Sequence, residues 1–537
     1  MKRCPECLRD YYDETLRFCL DDGSALLDGP STGDHATAIL NAEIAGIAEQ
    51  TKILPPRSLR TLRLETDQDT NSIAVLPFAN ISADDENEYF CDGLAEELLN
   101  ALSKIDELKV AARTSAFSFK GKNARVSEIG EKLGVKNVLE GSVRKAGNRL
   151  RISVQLVNAA DGFHLWSEQY DREFKDIFDL QDEITLSVVE ALKVTLLGHA
   201  RSIVLKRYTD NAEAYELFLK GRYYHFKYTV DGWKRAIEFF KKATEIDSDY
   251  APAYAAMTSS WGFLWFFGLV STDSVIEPMR AATTKALAID DGLAEAHLSS
   301  AILNFFHDRE WRKAEDDFKR AIELDPRHAE AISFYSMFLA FEERLDEAID
   351  MAKLSVAIDP LSPLINMNAG WTYFTAGLMD EAREQVVKMI EIEPEFYGAY
   401  WLSGAIYLTE GKYEDAIDAL KKGVSLGGHQ TLLADLGSAY GLAGRRDDAE
   451  AVLNELLEIR ERDYVSAICL SRVYSRLGDN DKAVEWLEKA FDEDNGEMLF
   501  FKGEIEGAAP SDPLLILGDD LRVSAIFEKM NLPKENR

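Results

Sequence analysis

Cys4 and Cys7 stand at the Cys-x2-Cys spacing, which lets two thiolates reach one metal ion from a single tight turn. Cys19 follows, so three of the five cysteines fall within the first nineteen residues. Five cysteines in 537 residues argue against a disulfide framework. No comparable pattern recurs: the sequence has no Gly-rich phosphate loop, no His-Glu-x-x-His and no nucleophile elbow. The eight histidines are scattered. His164 sits in a strand pattern beside Trp166, His297 and His429 in helical repeats, and all three read as packing groups. Cys91 and Cys469 fall in apolar helical stretches and read as small buried hydrophobes. Asp84-Asp85 and Glu96-Glu97 read as solvated or helix-start charges. The phrase Trp261-Gly-Phe-Leu-Trp265-Phe266-Phe267 admits two readings. It is either an over-filled helix junction, or a pocket in which Trp261, Trp265 and Phe266 receive an apolar side chain of a partner. The chemistry expected is binding, with no catalytic residues.

The elements that must position these groups show in composition and periodicity. Hydrophobic residues make up 46% of the chain, enough for real cores, and 61 Lys+Arg against 94 Asp+Glu give a formal charge of −33. That acidity disfavours binding along a nucleic-acid backbone. The opening residues lack the apolar stretch of a secretory signal, and no window reaches the ~18 apolar residues of a membrane span, so a cytoplasmic protein is expected. Residues 1–28 form a Cys-rich head, and 29–71, rich in Gly, Ser, Thr and Pro, read as a flexible linker. From Ser72 a second pattern begins. Ile73 to Phe78 is the apolar run of a strand sealed on both faces, and Glu88 to Leu102 has helical periodicity. A strand at Leu108 to Ala111 and a helix at Val126 to Leu133 follow. Strands at Lys136 to Lys145, Leu150 to Val157 and His164 to Arg172 come next, with a hairpin turn at Ala146-Gly147-Asn148. A long helix is expected over Ile177 to Leu197. This order predicts an α/β sheet domain over 72–211.

The rest of the chain is repetitive. Ala314, Ala348, Ala382, Ala416, Ala449 and Ala483 recur at spacings of 34, 34, 34, 33 and 34 residues. In the same register stand Gly370, Gly404 and Gly437, then Tyr373, Tyr407, Tyr440 and Tyr474, then Gly377, Gly411, Gly444 and Gly478. Small residues suit a close helix crossing, and Pro326, Pro360 and Pro394 stop each second helix. A 34-residue period with these positions is the tetratricopeptide signature. Two further hairpins precede, the second with a stretched turn near Gly268 to Asp273. The expected architecture is multidomain, α plus α/β: a head, the α/β sheet domain and an α-solenoid of about eight hairpins over 212–497. Residues 498–537, with a helix at Leu521 to Met530, would cap the stack.

Three resemblances extend this reading. Cys4-Pro-Glu-Cys7 with Phe18-Cys19-Leu-Asp-Asp22-Gly23 resembles a small zinc-ribbon module of bacterial regulatory proteins. On that resemblance Cys4, Cys7, Cys19 and Asp22 would hold one structural zinc, Asp22 standing where a fourth cysteine is usual. The alternative is a metal-free mini-fold with three reactive thiols. Ile73-Ala-Val-Leu-Pro-Phe78, Asp92-Gly93-Leu-Ala-Glu-Glu97, Val138-Leu-Glu-Gly-Ser-Val143 and Leu165-Trp166-Ser-Glu-Gln-Tyr170-Asp171 resemble the TolB amino-terminal-like (FlgO-like) domain. The repeats, with Lys220-Gly-Arg-Tyr-Tyr224 and Ala294-Glu-Ala-His297, are similar to the tetratricopeptide region that follows that domain in bacterial chains. Such relatives commonly carry a winged-helix, kinase or nucleotide-cyclase domain, for which this sequence shows no motif.

Together these features imply a non-enzymatic adaptor or scaffold in bacterial regulation or signal transduction, holding partner segments in the tetratricopeptide groove. The alternative is a sensor whose α/β domain binds a small molecule or nucleotide and controls the repeats. Net charges of −5 for residues 1–71, −4 for 72–211 and −24 for 212–537 place the acidity in the array. A basic peptide or protein is the expected guest. Nucleic acid is not expected, since Glu6, Asp10, Asp13, Glu14, Asp21 and Asp22 outweigh Lys2, Arg3, Arg9 and Arg17.

Overall fold

A computed structural model describes residues 71–500 except 195, 197 and 495, residues 517 and 520–530, and three short strands within the first 28 residues. The chain divides into two compact units, Met1–Thr66 and Asp67–Arg537. In the first, Lys2–Arg3 pairs antiparallel with both Asp10–Tyr11 and Leu27–Asp28. Cys4, Cys7, Cys19 and Asp22 lie outside the described residues, as does the expected linker over 29–70.

The second unit opens with strands β1 (Asn71–Val75) and β2 (Ala79–Asn80), helix α1 (Glu88–Ser103), β3 (Leu108–Val110), α2 (Arg113–Phe117) and α3 (Val126–Leu133). The long strands β4 (Asn137–Ala146), β5 (Arg149–Asn158) and β6 (His164–Glu173) follow, then α4 (Ile177–Ala191) and α5 (Gly198–Val204). The sheet order is β3-β1-β4-β5-β6, with β2 beside β4. β1 lies parallel to both neighbours, and β4, β5 and β6 form an antiparallel meander. The apolar run of β1 is sealed on both faces as its composition requires: Ala74 and Leu76 join Phe119, Ile129 and Val138, and Ile73 and Val75 on the opposite side are equally buried. Where one helix was expected over 177–197, the chain breaks after Ala191. Lys193 turns left-handed (φ 57°), Val194 N–H closes back on Val189 O, and Asn71 Nδ2 donates to Leu192 O at 3.0 Å.

The array contains sixteen helices among the described residues, paired as eight hairpins. They are α6 (Ala212–His225) with α7 (Val230–Ile246), α8 (Ala251–Phe266) with α9 (Thr272–Ile289), α10 (Ala294–Leu303) with α11 (Trp311–Leu324), and α12 (Ala329–Phe341) with α13 (Leu345–Ile358). Then come α14 (Pro363–Thr375) with α15 (Met379–Ile392), α16 (Tyr397–Thr409) with α17 (Tyr413–Ser425), α18 (Gln430–Leu442) with α19 (Arg446–Arg460), and α20 (Ala467–Arg476) with α21 (Asn480–Asp492). The register alanines are all fully buried at the helix crossings. A Cβ on Gly404 would meet Leu420 at 2.7 Å, which is why the first helix carries a small residue there. The turn glycines take φ of 72–79°, and Glu343 and Arg309 keep the same left-handed turn at φ 61° and 54° without being glycine. A final helix, α22 (Leu521–Lys529), lays Val523 and Ile526 against Ala467, Ile468, Val484 and Leu487, covering the last hairpin.

Candidate functional site

The α/β domain is docked on the array through polar contacts. α1 crosses α6 so closely that a Cβ on Gly93 would meet the Leu219 side chain at 2.7 Å. One turn further along α1, Glu96 is only 3% exposed. It accepts from Arg113 Nε of α2 at 2.7 Å and from Arg222 of α6, whose Nε lies at 2.7 Å. The Phe226 ring lies between the two cations, 3.6 Å from Arg113 Cζ and 4.6 Å from Arg222 Cζ. Burial alone would raise the Glu96 carboxyl, but Arg113 and Arg222 outweigh it and hold the pKa below the usual carboxylate range. Glu96 was expected among the solvated charges. It is instead the centre of a buried clamp, because two arginines from distant segments converge on it.

Farther along the array the contact continues. Ser115 of α2 donates its N–H and its hydroxyl to Asp359 Oδ1 at 3.0 and 2.5 Å, and Leu361 N–H donates to Ser115 Oγ at 2.9 Å. Arg327 donates to Val110 O at 3.1 Å, capping the edge of β3. Leu361 also packs into the core of the sheet domain.

Between these contacts lies a crevice of 760 Å³ walled by both domains. Glu97, Glu295 and Glu330 face it, together with Tyr208, Tyr215 and Tyr250. None of the three carboxylates forms an ion pair among the described residues. Glu97 keeps part of its surface exposed yet is hemmed in, and burial, then the neighbouring Glu96 charge, push its pKa up to about 7. Burial likewise raises Glu330. Lys104 faces the crevice 5.5 Å from the centre of the Tyr208 ring, and burial lowers its pKa.

The aromatic phrase is placed elsewhere, where the array meets itself. Trp265 is 1% exposed, and its Nε1 donates to Thr272 Oγ1 at 3.0 Å. Thr272 Oγ1 in turn donates to Asp494 O at 3.1 Å, beyond the last hairpin, and Arg309 pairs with Asp494. A Cβ on Gly496 would meet the Trp265 ring at 3.3 Å. Phe266 packs on Phe306 and Phe334, while Phe267 reaches Tyr397 and His429 in the sixth and seventh hairpins. A π-helical turn at Asn304–Asp308 brings Phe305 and Phe306 into the same interior. The pocket envisaged for a partner's side chain at Trp261, Trp265 and Phe266 is thus filled by the chain's own residues; Trp261 is also buried. His429 packs against Phe267, Tyr397 and Trp401, and neither of its ring nitrogens has a hydrogen-bond partner. Burial holds its pKa down at about 3, so it is neutral. Cys91 and Cys469 are buried thiols.

Sequence reasoning missed Glu96, Arg113, Ser115 and Asp359. The one available signal was on α1 itself: Glu88, Asp92 and Glu96 recur every four residues, a carboxylate stripe on one helical face that calls for cationic partners.

Comparison with known proteins fits these two parts. Residues 68–186 match the family model described as HilA/YgeH-like transcriptional regulator, second domain. Where the motifs resemble the TolB amino-terminal-like domain, this is the model that matches. Residues 397–426 and 470–496 match the tetratricopeptide repeat model. A protein of Rhizobium meliloti (strain 1021) named "Putative adenylate cyclase 3" is 38% identical over 224 residues, 42% of this chain and 36% of that protein. TPR repeat-containing protein YpiA of Bacillus subtilis (strain 168) is 21% identical over 271 residues, 48% of this chain and 60% of its own length. The chain therefore spans less than two thirds of either relative. The solved hetero-tetramer of the anaphase-promoting complex, Cut9-Hcn1, is similar at 15% identity and a TM-score of 0.41, covering 66% of this chain and 63% of that one. The array is a tetratricopeptide repeat solenoid, of a kind that generally mediates protein–protein interaction, and it carries a small mixed-sheet domain docked on its flank.

Proposed function

We propose that the chain is a non-enzymatic adaptor or scaffold in bacterial regulation or signal transduction. In this reading a basic, extended segment of a protein partner lies in the crevice between the sheet domain and the array. The supporting observation is the set of unpaired carboxylates there, Glu97, Glu295 and Glu330, beside tyrosine rings. A lysine or arginine side chain would satisfy the carboxylates and stack on the rings. The 224 residues shared with the cyclase-named relative are taken as its regulatory part. The test is titration of the full chain with labelled Lys/Arg-rich and Glu-rich peptides of equal length, at low and high salt. The basic peptide should bind and weaken with salt, and Glu97→Gln with Glu330→Gln should reduce its binding. Equal affinity for both peptides would refute the reading.

A second reading rests on the crevice alone: its volume falls within the roughly 300–1,000 Å³ of small-molecule sites, at a domain junction where such sites gather. There the sheet domain would act as a sensor of a small molecule or nucleotide, with the docked array as its output. A metabolite that raises the melting temperature of the full chain would favour it.

The finer assignments belong to the same proposal. The sheet domain is of the TolB amino-terminal-like type, the protein is cytoplasmic, and the head holds one structural zinc through Cys4, Cys7, Cys19 and Asp22. Three thiolates and a carboxylate are a donor set that zinc accepts. One zinc per purified chain, lost in Cys7→Ser, would support the assignment; a zinc-free wild type would refute it.

A further inference from the structure

The two edges of the sheet are treated differently. β3 is three residues long, and Arg327 of the array caps its Val110 carbonyl. β6 is ten residues long and exposed along its length except at Trp166 and Tyr170, and its outer side pairs with no strand among the described residues. A long open edge is a template for another strand. Its register defines which backbone groups are free. Phe174 N–H donates to Asn148 O, so the even-numbered residues of β6 from Trp166 to Arg172, beyond the register shift at its start, bond to β5. Ser167, Gln169, Asp171 and Glu173 therefore turn their N–H and C=O groups outward. The Asp171 carbonyl is met only by the flexible Arg172 side chain, at 3.2 Å.

The side chains narrow the choice of partner strand. Glu168 and Arg172 stand two residues on either side of Tyr170, on one face of β6. A strand of arbitrary sequence would set its own groups against this charged edge, which is how edges resist random pairing. A second copy of β6 fits it. We propose that two copies of this chain associate through β6, antiparallel and centred on Tyr170. In that register Gln169 and Asp171 exchange backbone hydrogen bonds with Asp171 and Gln169 of the other copy, and Ser167 does so with Glu173. Glu168 of each copy then faces Arg172 of the other in the closely spaced, non-hydrogen-bonded position, so the two-fold repeats the ion pair twice. Arg172, now paired with Glu183 at 2.9 Å, would be shared between the two carboxylates.

Size-exclusion chromatography with light scattering on the full chain, across a concentration series, tests this. The wild type should show the mass of two chains. Gln169→Pro removes an outward N–H and leaves the β5 ladder intact, and Arg172→Glu sets like charges opposite each other. Each should weaken dimerisation by at least ~10-fold. The charge-swapped Glu168→Arg/Arg172→Glu protein should regain it, with melting curves confirming that all three variants fold. A wild type that stays single at every concentration would overturn the proposal. So would a dimer indifferent to Gln169→Pro, or a swap that fails to restore what Arg172→Glu loses.

Discussion

Where the sheet domain meets the array, the contacts are ionic and directional: Glu96 between Arg113 and Arg222, Ser115 on Asp359, Arg327 on the Val110 carbonyl. Where the array meets itself, they are aromatic: Trp265, Phe266, Phe267, Phe306, Tyr397 and His429, with the Asp494 clasp at the rim. Each surface closes a large sequence separation. The first depends on geometry and on charge, so it can be undone piecewise by a competitor of the right chemistry. The second is held by buried area and dispersion, which no small change of register preserves. The aromatic interior is filled by the array's own side chains, whereas the polar junction keeps Glu97, Glu295 and Glu330 without an ion pair among the described residues.

Trp265→Ala should separate the two most sharply. It empties a fully enclosed site and removes the indole donor to the Thr272 hydroxyl, and chemical denaturation should show a loss of about 4–5 kcal/mol. The contact of the array with itself should fail while the Glu96 clamp persists: hydrogen exchange should speed up around residues 494–500 and leave α1 protected. If α1 is exposed in the same step, the two contacts are one cooperative unit and the distinction falls.

Glu96→Ala attacks the other side. Two arginines lose their shared carboxylate, and breaking a buried pair on one side costs roughly 3–4 kcal/mol. Part of that is relieved if the sheet domain swings free, so limited proteolysis should cut near Arg113–Phe117 while the repeats remain intact. Proteolysis that begins in the array would count against a separable junction.

The repeats were legible because their packing is local. Ala382 or Gly404 must be small wherever two helices of one hairpin cross, and that demand recurs every turn of the solenoid. The positions of the longer strands along the chain were legible for the same reason, since each carries its own periodicity; their order in the sheet was not. The helix break at Lys193 was hidden, as a lysine announces no left-handed turn. α2 was missed because five residues show no period. Its meaning lies in Asp359, a contact 244 residues away in sequence. The curvature that brings Phe267 to His429 is likewise the sum of many small rotations between hairpins, and no local pattern states it.

Acid titration probes both surfaces together, since each buries one neutral histidine. His225 lies in the junction, donating or accepting at Ser260 Oγ (2.8 Å), and burial followed by the Arg222 and Arg113 charges lowers its pKa to about 3. His429 lies in the aromatic interior with the same depressed value. An unfolded chain protonates both near their ordinary pKa of about 6.5, while the folded chain leaves them neutral until about 3. Between those limits the unfolded state binds more protons. Stability is therefore fully present above pH 6.5 and should decline as pH falls, by about 4 kcal/mol at pH 5, about 2 kcal/mol from each histidine. His429→Phe keeps the ring packing and removes one of the two protons, so it should cancel about half of that slope with little change at pH 8. An unaltered slope would assign the acid sensitivity to the junction alone.

Glu97 should run in the opposite direction, and by the smallest amount. Its folded pKa of about 7 lies above the carboxylate value of 4.5, because burial and the Glu96 charge both oppose ionisation. Between pH 4.5 and 7 the folded state holds a proton that the unfolded state has lost, so this group adds stability on acidification and subtracts it above pH 7. Glu97→Gln removes the penalty without removing the side chain. With allowance for the water that reaches the crevice, it should stabilise the protein by about 1 kcal/mol at pH 8 and leave it unchanged at pH 4.5. The carboxylate is then a group kept at a cost to the free chain, as a site awaiting a cationic partner requires. If Glu97→Gln destabilises at pH 8, Lys104 or another cation already satisfies the carboxylate in the unliganded protein. The junction would then hold no unmet charge for a basic segment to answer.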